Sequence, residues 1–319
     1  MKKIILCSLI FAMTQITFAS AKSSLVCLQD SKKTQEEDPR PIVVVLHGQN
    51  STPAGVDKSL DGCIRQMSGL LTAIKPLYKE VYFFHYDFFK RVEETGADFS
   101  RYLEELTATN KNIHVIAHSM GGLIARQALE HGDQDFEAVK HLVTLGTPHC
   151  GLTTKVDGVL VLAKSFGPLV GAMCPQYLPL LALAESLPQL VRSSETMTQL
   201  NAKEREIRTC YHIIQGKISA PTPKIPISPI LAGFLEDGQF FDGVVTVATE
   251  AELTSILSTK SLNVSVVEGL NHNQMIQAKY APELVKYLKS FCLEAAAAEA
   301  DDDWESLLDG ALEEVMGGQ

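Results

Sequence analysis

The sequence lacks an excess of positive charge. It has 28 Lys and Arg against 38 Asp and Glu, a formal net charge of −10 over 319 residues. Because nucleic-acid-binding domains present basic surfaces, we predict no nucleic acid partner. The acidic excess is local, since residues 293–319 contain nine acids and no Lys or Arg. We interpret 293–319 as an acidic tail, distinct from a nearly neutral body.

Motifs that bind metals, redox partners or nucleotides are also missing. No two of the seven cysteines form a C-x-x-C pair, which argues against a thioredoxin-like site or a zinc site of the usual spacing. No glycine-rich loop of the phosphate-binding kind is present. We therefore predict neither an organic cofactor nor a metal. Cys7 falls in the N-terminal apolar run, and the six other cysteines are compatible with disulfides or with buried free thiols.

The first 21 residues have the three parts of a secretory signal peptide. Lys2 and Lys3 precede a largely apolar run over 4–18, and the small residues 19–21 (ASA) follow it. We predict cleavage after Ala21 and export, to the periplasm or the medium. A membrane anchor is the alternative, but the run is short for a spanning helix, which needs about 20 residues.

Beyond a polar lead-in over 22–40, apolar β-branched runs alternate with amphipathic helical patterns. This alternation predicts an α/β fold, a mostly parallel sheet covered by helices on both faces. No internal repeat or long linker interrupts 41–292, which we interpret as one domain. The strand candidates cover 41–46, 81–84, 113–116, 142–145, 211–214 and 264–267, and the helical patterns cover 60–77, 102–106, 123–129 and 284–288.

A candidate nucleophile lies where the third strand candidate passes into a helix. Residues 117–122 (AHSMGG) match the G-x-S-x-G nucleophile elbow, with alanine in the first glycine position. The strained turn exposes the hydroxyl of Ser119, and the following helix directs its first N–H groups and positive dipole end at the same point. These features predict Ser119 as the nucleophile of an acyl transfer.

A pair of backbone donors is predicted beside Ser119. Residues 46–49 (LHGQ) end the first buried strand. In folds with such an elbow, the loop after that strand and the residue after the serine each supply one N–H to the developing oxyanion. The candidates are the backbone N–H groups of Gln49 and Met120, each worth about 3 kcal/mol in a preorganised site. A simple strand-ending turn is the alternative interpretation of 47–48.

Three segments resemble bacterial lipases and esterases of the α/β-hydrolase fold. The elbow over 117–126 (AHSMGGLIAR) is similar to theirs, 145–151 (LGTPHCG) resembles the segment after the next strand, and 242–245 (DGVV) resembles their acid-bearing loop. The resemblance covers about 41–292 and implies the α/β-hydrolase fold with a Ser-His-Asp triad. Calcium ligands used by some of these lipases have no counterpart here, so the resemblance implies no metal.

The catalytic base is expected to be a histidine near the end of the domain, because the fold orders its triad as serine, acid, histidine. His272 follows the last strand candidate and precedes the last helix, which favours it. We predict that His47, His118 and His149 shape the pocket around the site. The histidines after Ser119 with ordinary structural interpretations are His131, His141 and His212.

The acid must orient His272 and stabilise its imidazolium form. Asp242 lies 30 positions before His272 and directly precedes an apolar run. Asp237, in a polar turn, and Glu268, close in sequence to the base, are the rival carboxylates. We predict Asp242.

A long insertion over 150–205 separates two strand candidates. It includes twenty residues without a formal charge, 165–184, interrupted by Gly and Pro residues that argue against one continuous span. Because so much apolar surface must cover something or be covered, we predict a mobile helical cap over Ser119 that receives an acyl chain and contacts a lipid surface. A fixed helical layer of the core is the alternative.

These observations predict an exported carboxylic ester hydrolase, a lipase acting on acyl esters or lipids through an acyl-enzyme. A thioesterase, phospholipase or protein deacylase of the same fold is the alternative function. A binding protein that keeps the fold without turnover is the third hypothesis, and an intact serine, histidine and aspartate set argues against it. No oligomeric state is predicted.

Overall fold

The computed structural model describes ten segments of the chain, and every structural statement below concerns them. They are residues 23–29, 38–52, 55–152, 187–203, 205–218, 242, 245, 247–259, 261–278 and 280–297. The predicted signal peptide lies outside the described residues, as do 153–186 of the predicted cap and 298–319 of the predicted tail.

A seven-stranded sheet forms the centre of the protein, with strand order β1-β5-β2-β6-β7-β8-β9. All neighbours pair in parallel except β1, which runs antiparallel to β5 at one edge. A separate two-stranded hairpin contains β3 and β4. The strands are β1 (Ser24–Gln29), β2 (Ile42–Leu46), β3 (Ser51–Thr52), β4 (Gly55–Val56), β5 (Glu80–His85), β6 (Ile113–His118), β7 (Val139–Leu145), β8 (Cys210–Lys217) and β9 (Leu262–Glu268).

The edge strand β1 lies within the segment that the sequence suggested was only a polar lead-in. It has no alternation of buried and exposed residues, because an edge strand is half covered on both faces. Its ends are attached by side-chain hydrogen bonds: the Tyr102 hydroxyl donates to the Ser23 carbonyl at 2.9 Å, and Gln29 Nε2 donates to the Tyr78 carbonyl at 2.9 Å. The sheet therefore begins upstream of residue 41.

Seven α-helices connect the strands within the described residues. They are α1 (Leu60–Gln66), α2 (Ser68–Ile74), α3 (Val92–Thr107), α4 (Met120–His131), α5 (Glu195–Leu200), α6 (Glu250–Ile256) and α7 (Ala281–Ala297). The pattern over 60–77 predicted one helix, but the helix breaks at Met67, whose ψ of 2° leaves the helical range, and its last turn at Lys75–Leu77 is a 3₁₀ turn containing Pro76. None of these helices is both long and apolar enough to span a membrane.

The two faces of the sheet bury separate cores. In β2, Ile42, Val44 and Leu46 face one core, and Val43 and Val45 face the other. Helices α3, α4, α5 and α6 cover the first face, whereas α1, α2 and α7 cover the second. Because both faces are covered, the inner strands are apolar along their whole length rather than alternating. This arrangement confirms the predicted α/β architecture.

The described end of the predicted cap, residues 187–203, belongs to the fixed core. Leu190, Met197 and Leu200 are buried against the α3–α4 face. Gln189 accepts a hydrogen bond from the Val92 N–H at 2.8 Å, which attaches this segment to the start of α3. The cap hypothesis therefore applies to 153–186 only.

Candidate active site

Ser119 occupies the turn between β6 and α4. Its φ of +53° is the one positive φ of a non-glycine residue in the described part of the chain, and such a conformation costs on the order of 1–3 kcal/mol. The surroundings hold it there: the Ser119 N–H donates to the Leu145 carbonyl at 2.9 Å, and the Thr147 hydroxyl donates to the Ser119 carbonyl at 2.8 Å. The half-buried hydroxyl therefore stands at the carboxyl edge of the sheet, at the start of a helix.

The structure brings His272 and Asp242 to this hydroxyl. His272 Nε2 lies 2.9 Å from Ser119 Oγ, and His272 Nδ1 lies 2.7 Å from Asp242 Oδ2. His272 is 8% exposed and Asp242 is 2% exposed. The three residues thus form one continuous hydrogen-bonded chain at a nearly dry position.

The partners determine where the protons are. A carboxylate only accepts hydrogen bonds, so His272 Nδ1 carries the ring proton and donates it to Asp242. In the neutral imidazole, Nε2 then accepts from the Ser119 hydroxyl. This tautomer is the one that can remove the hydroxyl proton as the oxygen attacks.

The backbone around Asp242 fixes the direction of its carboxylate. Asp242 Oδ1 accepts from the Val245 N–H at 2.7 Å, which leaves Oδ2 for His272. The Asp242 carbonyl accepts from the His272 N–H at 2.9 Å, so the two loops are joined a second time. Of the rival acids, Glu268 forms an exposed ion pair with Lys217 at 2.7 Å, and Asp237 lies outside the described residues.

The predicted backbone donors lie on the two segments that meet beside Ser119. Met120 is the first residue of α4, so its N–H has no partner within the helix. Gln49 follows Gly48, and the Gln49 side-chain amide lies 3.9 Å from the Met120 sulfur. Gly48 packs so closely that a Cβ on it would lie 2.8 Å from Ser119 Cβ. The N–H of Gln49 therefore belongs to the loop after β2, and that of Met120 belongs to the start of the helix after β6. Both lie at the carboxyl edge of the sheet.

Two features of this site escaped sequence reasoning. Gly146 has a φ of +59°, and a Cβ there would lie 2.9 Å from His272 Nδ1 and 3.0 Å from Asp242 Oδ2. Only glycine leaves room for the histidine–aspartate pair against β7. Thr147 clamps the serine backbone, as described above. Both residues lie in the 145–151 segment that resembles bacterial lipases, and the resemblance alone indicated no role for either of them.

The three predicted pocket histidines occupy different places. His118 is next to the triad: its Nε2–H donates to the His272 carbonyl at 3.1 Å, and burial lowers its pKa to about 3. His47 lies behind Gly48, stacked on Tyr86 with ring centroids 4.2 Å apart. His149 hydrogen-bonds Thr144 at 2.9 Å, its carbonyl accepts from Asn201, and burial lowers its pKa well below the usual value. Of the three, His118 is the one whose ring hydrogen-bonds a triad residue in the described structure.

The other histidines after Ser119 contact different partners. His131 lies at the end of α4, where its Nε2 is 3.0 Å from the Leu200 carbonyl. His141 and His212 hydrogen-bond each other at 3.0 Å near the amino ends of β7 and β8. Parallel strands place these ends at the sheet edge opposite Ser119, so the topology separates them from the nucleophile.

The strand order, the strained serine between strand and helix, and the serine–histidine–aspartate chain define an α/β-hydrolase fold. A family model described as "PGAP1-like alpha/beta domain" matches residues 61–164, a segment that contains Ser119. No curated protein sequence matches this chain.

Solved structures with the same fold include the lipase BlEst2 of Bacillus licheniformis. The mature form has a TM-score of 0.52 at 19% identity, covering 84% of this chain and 97% of that chain. The propeptide form has a TM-score of 0.54 at 19% identity, covering 83% of this chain and 53% of that chain. At this identity, the likeness establishes the fold.

Proposed function

We propose that the protein is a serine hydrolase of carboxylic esters, and specifically a lipase. One observation supports this proposal above the others: Ser119 Oγ, the His272 ring and the Asp242 carboxylate are joined by hydrogen bonds of 2.9 and 2.7 Å. Nucleophile, base and orienting acid are thus in reach of one another without any rearrangement. The fold that it shares with a bacterial lipase agrees with this chemistry.

The reaction follows from the proton positions. His272 Nε2 takes the hydroxyl proton as Ser119 Oγ attacks the acyl carbonyl carbon, and the negative charge on the former carbonyl oxygen is stabilised by the N–H groups of Gln49 and Met120. The resulting imidazolium, held by Asp242, gives its proton to the departing alcohol oxygen. Water then repeats the steps on the acyl-enzyme, which releases the acid and regenerates the serine.

Active-site labelling tests the enzyme class. A fluorophosphonate probe should label the purified protein covalently, at Ser119, and Ser119→Ala should abolish the labelling while the far-UV circular dichroism is unchanged. Ser290→Ala, at an exposed position of α7 where the hydroxyl donates to the Tyr287 carbonyl at 2.7 Å, is a matched control outside the site and should label normally. A protein that binds esters but resists the probe would contradict the proposal and favour the non-catalytic hypothesis.

The alternative, a thioesterase or another deacylase of this fold, differs in its leaving group. The triad chemistry is the same, so we distinguish them by kcat/KM on an ester and a thioester with equal acyl chains. A lipase should prefer long-chain glycerol esters over the matched thioester. The opposite order would assign the protein to the alternative.

Contact with a lipid surface is part of the proposal. The uncharged stretch 165–184 motivates it, because apolar side chains bind to interfaces in proportion to the area they bury. Activity on one ester, measured below and above its solubility limit, should rise abruptly at the limit. Smooth saturation across that limit would contradict surface binding.

We also propose export with cleavage after Ala21, on the basis of the charged, apolar and small-residue order of the first 21 residues. Expression in a Gram-negative host should yield a processed protein outside the cytoplasm, with Lys22 at its N-terminus by mass spectrometry. An unprocessed protein in the cytoplasmic fraction would contradict this proposal.

A further inference from the structure

Three ligand-type side chains meet behind the loop that holds Gly48 and Gln49. His47 follows β2, Cys63 lies in α1 and His85 ends β5. One ring nitrogen of each histidine and the Cys63 sulfur lie within 4.8 Å of one another. His47 and Cys63 are fully buried and His85 is 6% exposed. No other trio of His, Cys, Asp or Glu in the described segments has this spacing.

In both histidines, one ring nitrogen already hydrogen-bonds a backbone carbonyl. His47 Nδ1 lies 2.6 Å from the Gly48 carbonyl, and His85 Nε2 lies 2.9 Å from the Lys58 carbonyl. Carbonyls only accept, so these nitrogens carry the protons, and the second nitrogen of each ring keeps a lone pair. Histidines that bind metals are oriented in this way, by donating the other ring N–H to a carbonyl or carboxylate.

The second ring nitrogen of His47 and the Cys63 sulfur form contacts that a metal can replace. His47 Nε2 faces the Tyr86 N–H at 3.3 Å, a long hydrogen bond that a metal can replace. The Cys63 thiol lies 3.9 Å from the Asp57 carbonyl and also contacts the Asn50 amide. At 3.3 and 3.9 Å these hydrogen bonds are long, so a metal–ligand bond can take the place of each.

The donor set selects the class of cation. Two imidazoles and one thiolate suit zinc and other soft or borderline metals, whereas calcium and magnesium require oxygen ligands. With Zn–N distances of about 2.1 Å and a Zn–S distance of about 2.3 Å, the ligand atoms around zinc lie roughly 3.5 Å apart. Closing the observed spacing to that value takes side-chain shifts of about 1 Å.

We propose that His47, Cys63 and His85 form a site for one zinc-type divalent cation. On binding, the Cys63 S–H bond breaks and an Sγ–metal bond forms, the proton passes to solvent, and each imidazole donates a lone pair. No oxidant or reductant is involved, and water occupies the fourth position. The site joins the ends of β2 and β5 to α1.

The position of the site gives it a structural effect on the loop. His47 is bonded directly to Gly48, whose Cα hydrogen faces Ser119. A metal on His47 therefore holds the strand end from which the Gly48–Gln49 loop departs. We expect the cation to stabilise the fold, because it binds the folded arrangement of three elements that are separate in the unfolded chain.

The test uses the purified full chain after treatment with a chelator, titrated with Co²⁺ and with Zn²⁺. Co²⁺ should bind at one ion per chain and produce the near-ultraviolet absorption of a cobalt–thiolate bond, and Zn²⁺ should displace it and raise Tm. Cys63→Ser should abolish the thiolate absorption, and His85→Asn should weaken Zn²⁺ binding at least tenfold. Cys150→Ser and Cys210→Ser are matched controls with half-buried thiols, and they should bind like the wild type.

If a variant fails to fold, the wild-type titration still tests the proposal. A wild-type protein that takes up no cobalt, or whose spectrum has no thiolate absorption, overturns the site. A thiolate absorption that persists in Cys63→Ser, or disappears in Cys150→Ser or Cys210→Ser, assigns the metal to another cysteine and also overturns it.

Discussion

Histidines cluster both where the parallel strands end and where they begin, but with different partners. We call these two sides of the sheet the carboxyl edge and the amino edge. At the carboxyl edge, His272 lies between a carboxylate and a hydroxyl, 2.7 and 2.9 Å away. At the amino edge, His114, His141 and His212 form a row across β6, β7 and β8, with ring centroids 4.7 and 5.2 Å apart. The row is bounded by hydroxyls: that of Tyr78 lies 3.2 Å from His114, and that of Tyr287 lies 3.4 Å from His212.

The two groups of histidines differ in one hydrogen-bond partner, because His272 contacts the carboxylate of Asp242. At the amino edge, the three imidazoles form hydrogen bonds with imidazole, hydroxyl and amide groups, and burial lowers the pKa of His141 to about 4 and of His212 to about 3. These rings stay neutral, with His114 and His212 buried and His141 half-buried at the end of the row. At the carboxyl edge, Asp242 can stabilise an imidazolium when His272 takes a proton. A histidine in this protein is therefore structural, or able to act as a base, depending on whether a loop places a carboxylate beside its ring.

The largest effect on activity should come from breaking the hydrogen bonds that join Ser119, His272 and Asp242. Ser119→Ala and His272→Ala should each lower kcat by about 10⁶-fold, and the double variant should be no worse, because the triad acts as a unit. His212→Gln, the matched change at the amino edge, should keep kcat within about twofold. Steady-state kinetics on a soluble ester measure all four. Equal losses from His272→Ala and His212→Gln would remove the distinction between the edges.

Removing the carboxylate while keeping its shape should have the next largest effect. Asp242→Asn keeps an acceptor oxygen but loses the charge that stabilises the imidazolium, so kcat should fall by about 10⁴-fold. Asp237→Asn is the control and should be near wild type. Full activity in Asp242→Asn combined with loss in Asp237→Asn would transfer the acid role to Asp237.

A methyl group at Gly48 should disturb the carboxyl edge while leaving all three triad side chains in the sequence. Its Cβ would lie 2.8 Å from Ser119 Cβ and 3.0 Å from His118 Nδ1, so the loop with Gln49 must move. A displacement of about 1 Å near the reacting atoms costs about a hundredfold in kcat/KM. In Gly96→Ala the added Cβ would lie 2.4 Å from Gln127 Cγ, between α3 and α4, so this variant should lose stability but change kcat/KM much less than Gly48→Ala. Equal kinetics of the two variants would exclude the loop from the site.

The smallest expected effect concerns stability at the amino edge. Because the folded pKa of His212 is about 3 and an unfolded histidine titrates near 6.5, only the unfolded chain gains this proton between those values. The neutral ring therefore costs nothing above pH 6.5, and stability is lost as the pH falls below it. The slope of unfolding free energy between pH 6.5 and 4.5 should drop in His212→Gln by up to about 1.4 kcal/mol per pH unit.

Chemical denaturation at a series of pH values measures this slope. Tyr287→Phe removes a neighbour of His212 but no imidazole, so it should keep the wild-type slope. A wild-type stability that does not change between pH 6.5 and 4.5 would contradict a neutral row of histidines.

Local sequence was sufficient where geometry depends on near neighbours. The elbow around Ser119 is defined by small residues, a preceding strand and a following helix, all within a few positions. The inner strands were predictable as apolar runs, because burial on both faces leaves no other composition. The half-covered edge strand β1 and the break at Met67 have no comparable signal, since neither has a distinct periodicity.

Chain order favoured His272 as the base and Asp242 as the acid over Asp237 and Glu268, but it could not show that the three side chains meet. Ser119 and His272 are 153 positions apart, and only the parallel arrangement of strands places both at one edge. The structure agrees with Asp242 over Glu268, because Asp242 hydrogen-bonds His272 whereas Glu268 pairs with Lys217 at the surface.

By itself, the sequence determined the α/β architecture and the turn at Ser119, because strand and helix periodicity and short-range sterics encode them, and chain order indicated the candidate base and acid. The tertiary structure decided which groups meet: Asp242 with His272, Gly146 beneath both, the neutral histidine row, and His47 with Cys63 and His85. The absence of a C-x-x-C pair suggested no metal site, but the ligands of the proposed site come from β2, α1 and β5, whose proximity follows from sheet order. Contacts between distant residues depend on how strands are arranged, and residue spacing carries little information about that.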